Sequence, residues 1–486
     1  MSRLRKLIFL IFAAVYLMVA PLTVLYALGY IFNPVQQTLQ QTGLITLNSE
    51  PSRASVQVNG AMVKEKTPLV LGNLKPGFYD IRIALPGRHS WHRQVEVKPD
   101  RVFRFENIFL FPQTFEPEVL GDFPVKKMWA APNGKRLVVL LGDGASQLYL
   151  FEPEEKKFRP FFQGANYDEV KVKEVTLHPG GDRALVILKN QKALQPMLVQ
   201  FEIPFKVTDV TDLLRPPFSH LQWNPHKRSP LYYKKGETLR LVNLDQGLPD
   251  ASLVKRVRGY ALHGRRLFVL DGRKRFLELT EKGKKIDVLL NDPAQARFIF
   301  GPDQTDDYSV FFTPKGSLFS LLENPLVLFL SNKGKLLSNK LPYFLDERVD
   351  ELVLAESHPR LVYRKGKEIW SLDFESEQKK SFFESGPTPR RIYSGRKSLE
   401  NLHLFYNDGY VLFTEGHSLM IQDFEGEAGP IRLLEISDRM RQVVLDTRRG
   451  FLYFAHPQTG ALTRIKLFEA GLLPRMVVDL VGAAEE

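Results

Sequence analysis

From residue 114 onward the chain repeats itself, and that repetition limits the folds open to it. A strand-like segment running into a turn, followed by a second apolar segment, recurs eight times. The clearest copies span 125–141, 172–188 and 218–233, and weaker ones span 257–270, 297–312, 349–363, 399–413 and 440–454. Their turns fall at Pro132, Pro179, Pro225, Gly264, Pro302, Pro359, Asp408 and Arg448, roughly 38 to 57 residues apart. Several copies continue into a third strand, as at 147–153, 237–245, 368–375 and 419–425. Two hairpins per period make a four-stranded blade, and radial repetition of blades makes a β-propeller. Seven or eight blades fit the count. The strand that closes the ring is expected from Thr114 to Leu120 or from Met476 to Val481. The rival for this region, two β-sandwiches, predicts no fixed period and a linker near Gln295. Long helical periodicity is absent, which argues against a TIM barrel or a Rossmann fold.

The front of the chain obeys a different rule. After Arg3, Arg5 and Lys6 no charge occurs until Glu50, and the apolar core from Leu7 to Phe32 includes fifteen Leu, Ile, Val or Phe residues. About 20 helical residues cross the hydrocarbon layer. Those fifteen sum to roughly −5 to −9 kcal/mol on an insertion scale, before Pro21, Gly29 and other less favourable residues are counted. A cleaved signal peptide is the competing reading, but its apolar region would be only about 7–15 residues, and Leu25-Tyr26-Ala27 offers a bulky residue where a small one is needed. The expectation is an uncleaved anchor. Basic residues before the helix and none soon after it put the N-terminus inside and the bulk of the chain outside the cytoplasm. Tyr26 and Tyr30 suit the interfacial belt. Residues 33–42 (NPVQQTLQQT) read as a polar stalk.

Between Gly43 and Phe111 short strands alternate with turns. Leu44–Leu47, Ser55–Val58, Phe78–Ile83, Trp91–Val97 and Val102–Phe111 give five or six strands, a small β-sandwich. Asn59-Gly60 is a hairpin signal because both residues tolerate positive φ. Tyr79, Ile81 and Ile83 should share one face, and so should Phe103, Phe105, Phe109 and Phe111. The order Gly43, Ser49-x-Pro51-x-x-Ala54, Val56-x-Val58-x-Gly60, Thr67-Pro68, Leu74-x-x-Gly77-x-Tyr79, Gly87 and Trp91 resembles the PEGA domain, a small extracytoplasmic β-module. The name-giving tetrapeptide stands here as Pro51-Ser52-Arg53-Ala54, with Arg53 in place of glycine. The resemblance covers about a seventh of the chain and implies an envelope setting and interaction rather than catalysis. The third strands of the later repeats resemble those of WD40-like blades, although the Trp-Asp dipeptide and the Gly-His pair are absent.

The chain has 67 basic and 55 acidic residues, a net charge of +12, and no cysteine. Disulfides and thiolate metal sites are thereby excluded. A basic protein at a membrane is drawn to anionic lipid, wall polymers or glycans. Nucleic acid is not expected, since no dense Lys/Arg block or recognition motif occurs.

No catalytic signature is present: no Gly-x-Ser-x-Gly, His-Glu-x-x-His, phosphate loop or EF-hand. Asp303, Asp306 and Asp307 cluster in a turn and have calcium-type ligand chemistry, though acidic turn residues are more often solvated. His89 and His92 bracket Trp91 on opposite faces of a strand, without an evident third zinc ligand. Trp129 and Trp223 occupy matching places before the turns of their copies, and Trp370 lies on a third strand. Packing between sheets is the expectation for all three, with sugar stacking as the alternative. Arg273-Lys274-Arg275 and Arg390-Arg391 with Arg396-Lys397 could bind an anion only by converging in space.

The organisation expected is a cytoplasmic start and anchor (1–32), a stalk (33–42), a PEGA-like β-sandwich (43–113) and a β-propeller (114–486), all-β apart from the anchor. The function expected is a non-catalytic, membrane-anchored binding scaffold of the cell envelope. Its partner would be an envelope protein or anionic polymer, with no cofactor, no metal and no catalytic or binding residue assigned. The alternative is a propeller enzyme acting on envelope glycans or peptides. A sensor with a cytoplasmic partner fits less well, because only about six residues precede the helix.

Overall fold

A computed structural model describes residues 2–27, 30–33, 38–132, 134–142, 147–162, 170–190, 193–290, 292–300, 306–312, 327–339, 344–355, 360–374, 389–406, 408–424, 429–438, 440–447 and 449–468. The chain divides into two compact units, one of residues 1–114 with 423–430, the other of residues 115–422 with 431–486.

The first unit opens with a helix, Ser2–Ala27, whose stretch Ile8–Leu25 has a mean hydropathy of 2.6. It is long and apolar enough to cross a membrane, and Phe9, Phe12, Leu17 and Met18 are all more than two-thirds exposed. After it, Tyr30–Asn33 pairs antiparallel with Thr38–Gln41.

The β-sandwich has seven strands in two sheets. Leu69–Leu74, Gly43–Glu50 and Val102–Phe109 form one, with Gly43–Glu50 and Val102–Phe109 parallel. Ala61–Lys66, Ser55–Val58, Gly77–Ala84 and Trp91–Val97 form the other. Ile45, Leu47, Val56, Ile81, Ile83 and Trp91 fill the space between them, with Tyr79 packed against the cluster. Each such fully buried aliphatic chain is worth about 1.5–3 kcal/mol.

The phenylalanines of 102–111 do not share one side. The pairing register shifts where Leu47 faces Phe105 but Ser49 faces Ile108. An extra residue at such a bulge reverses every side chain after it. Phe105, Ile108 and Leu110 therefore enter the core, while Phe109 and Phe111 leave it and meet edge-on at 4.7 Å.

The PEGA-like motif residues have identifiable work. Thr67 Oγ1 accepts the Ala54 N–H at 3.0 Å and lies 2.6 Å from the buried Ser49 Oγ, tying two turns together. Asn59 and Gly60 take φ of 50° and 79° and close the hairpin from Ser55–Val58 to Ala61–Lys66. Arg53 takes φ of 62°, the conformation its missing glycine would favour.

Among the described residues the second unit is all-β apart from two short helices, and its sheets are antiparallel meanders. Six four-stranded sheets follow one another, here numbered 2 to 7: 170–209, 219–254, 257–290, 308–346, 351–394 and 399–435. A seven-stranded sheet joins Glu118–Ala130, Leu137–Leu141, Leu148–Glu152 and Lys157–Phe162 to Val444–Asp446, Phe451–Ala455 and Ala461–Lys466. The long strand Glu118–Ala130 serves both halves. Val125–Ala130 pairs with Leu137–Leu141, whereas Glu118, Val119 and Pro124 pair with Arg464, Thr463 and Ala461. The sheets form a β-propeller fold, and apolar clusters bridge successive ones. Ile187 and Leu198 meet Trp223 and Tyr233, Tyr232 and Leu239 meet Val269 and Leu277, and Leu328 and Leu336 meet Leu361 and Tyr363.

The sequence places the fifth repeat wrongly. Pro293–Phe300 is a helix, and Tyr308–Phe312 is the first rather than the second strand of sheet 5. Pro293 is suited to the first helical turn and Ala294-Gln295-Ala296 are good helix formers. Ala296, Ile299 and Phe300 then pack into the cluster shared by sheets 4 and 5, so the segment around Gln295 is no linker. The turns at Pro132, Pro179, Pro225, Gly264 and Asp408 do join first to second strands. Pro302, Pro359, Arg448 and the 476–481 segment lie outside the described residues.

Candidate interaction surface

Two carboxylates of the acidic turn considered for calcium are already paired with lysines. Asp306, 4% exposed, meets Lys333 Nζ at 2.7 Å, and Asp307 meets Lys234 Nζ at 2.6 Å. Asp303 lies outside the described residues. His92 is paired with Asp80, and burial lowers the pKa of His89. Among the described residues no group of three or more His, Cys, Asp or Glu could hold a metal ion.

The tryptophans pack against sheets. Trp223 is 4% exposed and donates to the Thr176 carbonyl of the preceding sheet at 3.0 Å. Trp129 packs on the cluster between the seven-stranded sheet and sheet 2, and Trp370 on that between sheets 5 and 6.

The two basic clusters of the sequence do not form one site. Asp271 accepts the Arg273 and Arg275 N–H groups and pairs with the Arg275 guanidinium at 2.7 Å. Arg391 reaches Glu368 at 2.9 Å, and Glu415 accepts the Arg396 and Lys397 N–H groups. Glu415 sits below the usual carboxylate range: burial opposes its charge, but the Tyr393 hydroxyl and those two N–H groups outweigh it.

Two features escape the sequence reading. The first is an inner polar cluster drawn from several sheets. Lys234, only 3% exposed, lies on the second strand of sheet 3, yet its partner Asp307 precedes sheet 5. Nearby, Tyr260 of sheet 4 donates its hydroxyl to the His220 carbonyl. Burial, then the Lys234 charge, lowers the His220 pKa against the opposing pull of Asp307 and Glu174. A buried ammonium without its carboxylate would be costly, so this pairing holds non-adjacent sheets in one arrangement.

The second is a depression of about 580 Å³ lined by His226, Lys227, Arg265, Thr280, Glu281 and Lys282. These come from the first turn of sheet 3 and the first and third turns of sheet 4. In an antiparallel meander those turns lie on one edge, while Arg273–Arg275, in the second turn of sheet 4, lie on the other. The Tyr232 hydroxyl donates to the Glu281 carbonyl at 2.8 Å, and Asn224 Nδ2 and Lys227 Nζ donate to its carboxylate. Burial works against that carboxylate's charge, but Lys227 and Asn224 prevail and hold its pKa low.

Residues 42–109 match the PEGA domain family, so the chain carries a PEGA domain there. No curated protein matches the chain. Among solved structures, the β-propeller domain of Myceliophthora thermophila Cps50 (Swd1) aligns with a TM-score of 0.39 and 12% identity, over 72% of this chain and 98% of that one. The C-terminal WD40 domain of Sif2 aligns with a TM-score of 0.46 and 9% identity, over 74% and 99%. The sheet order of this chain itself, successive four-stranded meanders, is that of a β-propeller.

Proposed function

We propose that this chain is a single-pass, extracytoplasmic scaffold of the cell envelope, tethered by its N-terminal helix and presenting a closed eight-bladed propeller to a protein or anionic-polymer partner. The domains are then 1–32, 33–42, 43–113 and 114–486. The observation that carries this reading is the strand Glu118–Ala130, whose two halves pair with the first and the last groups of propeller strands. A first strand borrowed by the last blade is how a propeller closes. Contacts at the remaining junctions agree. Leu402 N–H donates to Glu351 across sheets 6 and 7, and Asn401 Nδ2 donates to the Arg441 carbonyl beyond sheet 7. Arg464 pairs with Glu118 at 2.7 Å on the shared strand.

The tether is supported by physics: an apolar helix with its side chains exposed is stable only where lipid covers it. Arg3, Arg5 and Lys6 favour an inside N-terminus. A ring closed on itself offers its turns as a rigid display, the usual place for binding residues.

The test is alkaline extraction of membranes followed by capture of envelope components on the detergent-solubilised full chain. Retention in the washed membrane and capture of an envelope component support the reading. Release into the soluble fraction removes the tether, and absence of any captured component removes the scaffold.

A further inference from the structure

We propose that the depression between the turns of sheets 3 and 4 binds the anionic groups, phosphate or carboxylate, of an extended non-peptide polymer. This rests on the reading of the propeller as a binding platform and names its ligand class.

The charge balance is the reason. Lys227 is tied to Glu281. Arg265 and Lys282 have no carboxylate partner among the described residues, and both are exposed. Three cations face one carboxylate, leaving two positive charges unanswered, with His226 and Thr280 as further donors. The same hairpin carries Lys284 and Lys285, both exposed, so the basic strip continues past the depression. The other basic clusters differ in this respect, since their own acids hold Arg275 and Arg391.

The shape fits as well. About 580 Å³ is within the range of small-ligand sites, roughly 300–1,000 Å³, and would admit one or two charged units of a chain. A guanidinium beside an ammonium suits phosphate and carboxylate oxygens. The lining residues are all polar or charged, with His226 the one ring, so the apolar surface they present is side-chain stem rather than a socket for the apolar anchor that dominates protein interfaces. A hydrated polyanion needs none. Without Arg3, Arg5 and Lys6, which the proposed topology puts inside, the net charge of +12 falls to +9, still enough to steer it to the surface.

The test uses the full chain in neutral detergent micelles at low and physiological salt, with inorganic polyphosphate, polygalacturonate and poly-L-glutamate as probes. The variants are Arg265→Ala/Lys282→Ala and a control of equal charge change, Lys64→Ala/Lys66→Ala, on the exposed edge strand Ala61–Lys66. Thermal melts confirm that each variant is folded. Polyphosphate or polygalacturonate should bind, whichever is tighter reporting the source chemistry, and the first variant should weaken it about tenfold while the control stays within about twofold. Arg265→Lys/Lys282→Arg should restore most of the binding. Equal losses in both Ala variants would reduce the effect to overall charge and overturn the proposal. So would absent binding of both polymers, or tighter binding of poly-L-glutamate than of either. If the Arg265→Ala/Lys282→Ala chain still captures its envelope component in full, this site fails while the scaffold reading stands.

Discussion

Replacing Lys234 with methionine keeps the length of the side chain and removes the ammonium from a nearly sealed position. The Lys234 side chain is 4% exposed and its Nζ lies 2.6 Å from Asp307 Oδ1, while the Asp307 side chain remains 34% exposed. Breaking a buried pair by removing one partner costs about 3–5 kcal/mol, because the other charge is stranded. Asp307 can regain part of its hydration, so about 2–3 kcal/mol is expected here. Lys234→Met/Asp307→Asn should recover to within about 1 kcal/mol of the wild type, since no charge is stranded. Urea unfolding followed by tryptophan fluorescence measures both, with Trp223 on the same sheet as reporter. The Lys234 charge also lowers the His220 pKa, so the single variant should raise it, as read by imidazole NMR. A single variant costing under about 0.5 kcal/mol, or a double variant as damaged as the single, would show that the inner cluster is not the tie described.

Four other consequences are open to measurement. Thr67→Val should destabilise the PEGA domain by about 1–3 kcal/mol by leaving the buried Ala54 N–H without its acceptor, while the Ser49 hydroxyl keeps its bond to the Pro51 carbonyl, whereas Arg53→Gly should stabilise it by about 0.5–1 kcal/mol by relieving a left-handed conformation; chemical denaturation separates the two. Gly259→Ala should loosen sheets 4 and 5, because a Cβ there would sit 2.4 Å from the Tyr308 carbonyl oxygen; a lower melting temperature with retained strand signal is expected. Burial lowers the pKa of His220 and His403 below that of the unfolded chain, so the unfolded state takes protons first. Stability should fall as pH drops from about 6.5 toward 5, above the range where Glu281 and Glu415 protonate, and His220→Gln should flatten the decline.

Where local pattern decided the structure, the sequence could be read. Asn59-Gly60 closes its hairpin as expected, and Pro179 and Pro225 mark the first turns of sheets 2 and 3. Tyr79, Ile81 and Ile83 reach one core. The reading failed where one residue broke the period, as at the bulge that takes Phe109 and Phe111 out of the sandwich core to be buried against each other. It failed again where a helix borrowed strand-like residues, Arg297-Phe-Ile-Phe300. The strand Ala61–Lys66 was missed because an exposed edge strand needs no apolar alternation. The candidate sites were the least legible. Lys234 ends a strand as Tyr-Tyr-Lys-Lys and reads as a solvent face until its partner arrives from two sheets away. Arg265 and Lys282 stand singly in separate turns, and only the meander brings them to one edge.

The last strands of the propeller meet the first along Glu118–Ala130. The chain has no cysteine of its own, so Val119→Cys/Thr463→Cys, placed at Cα partners on the shared strand, introduces the sole pair. Mild oxidation and non-reducing peptide mass spectrometry of the monomer should find an intramolecular disulfide joining the two segments, because paired strands lie within disulfide reach. Free thiols, or links only between molecules, would mean that the strands are apart and the ring is not closed there.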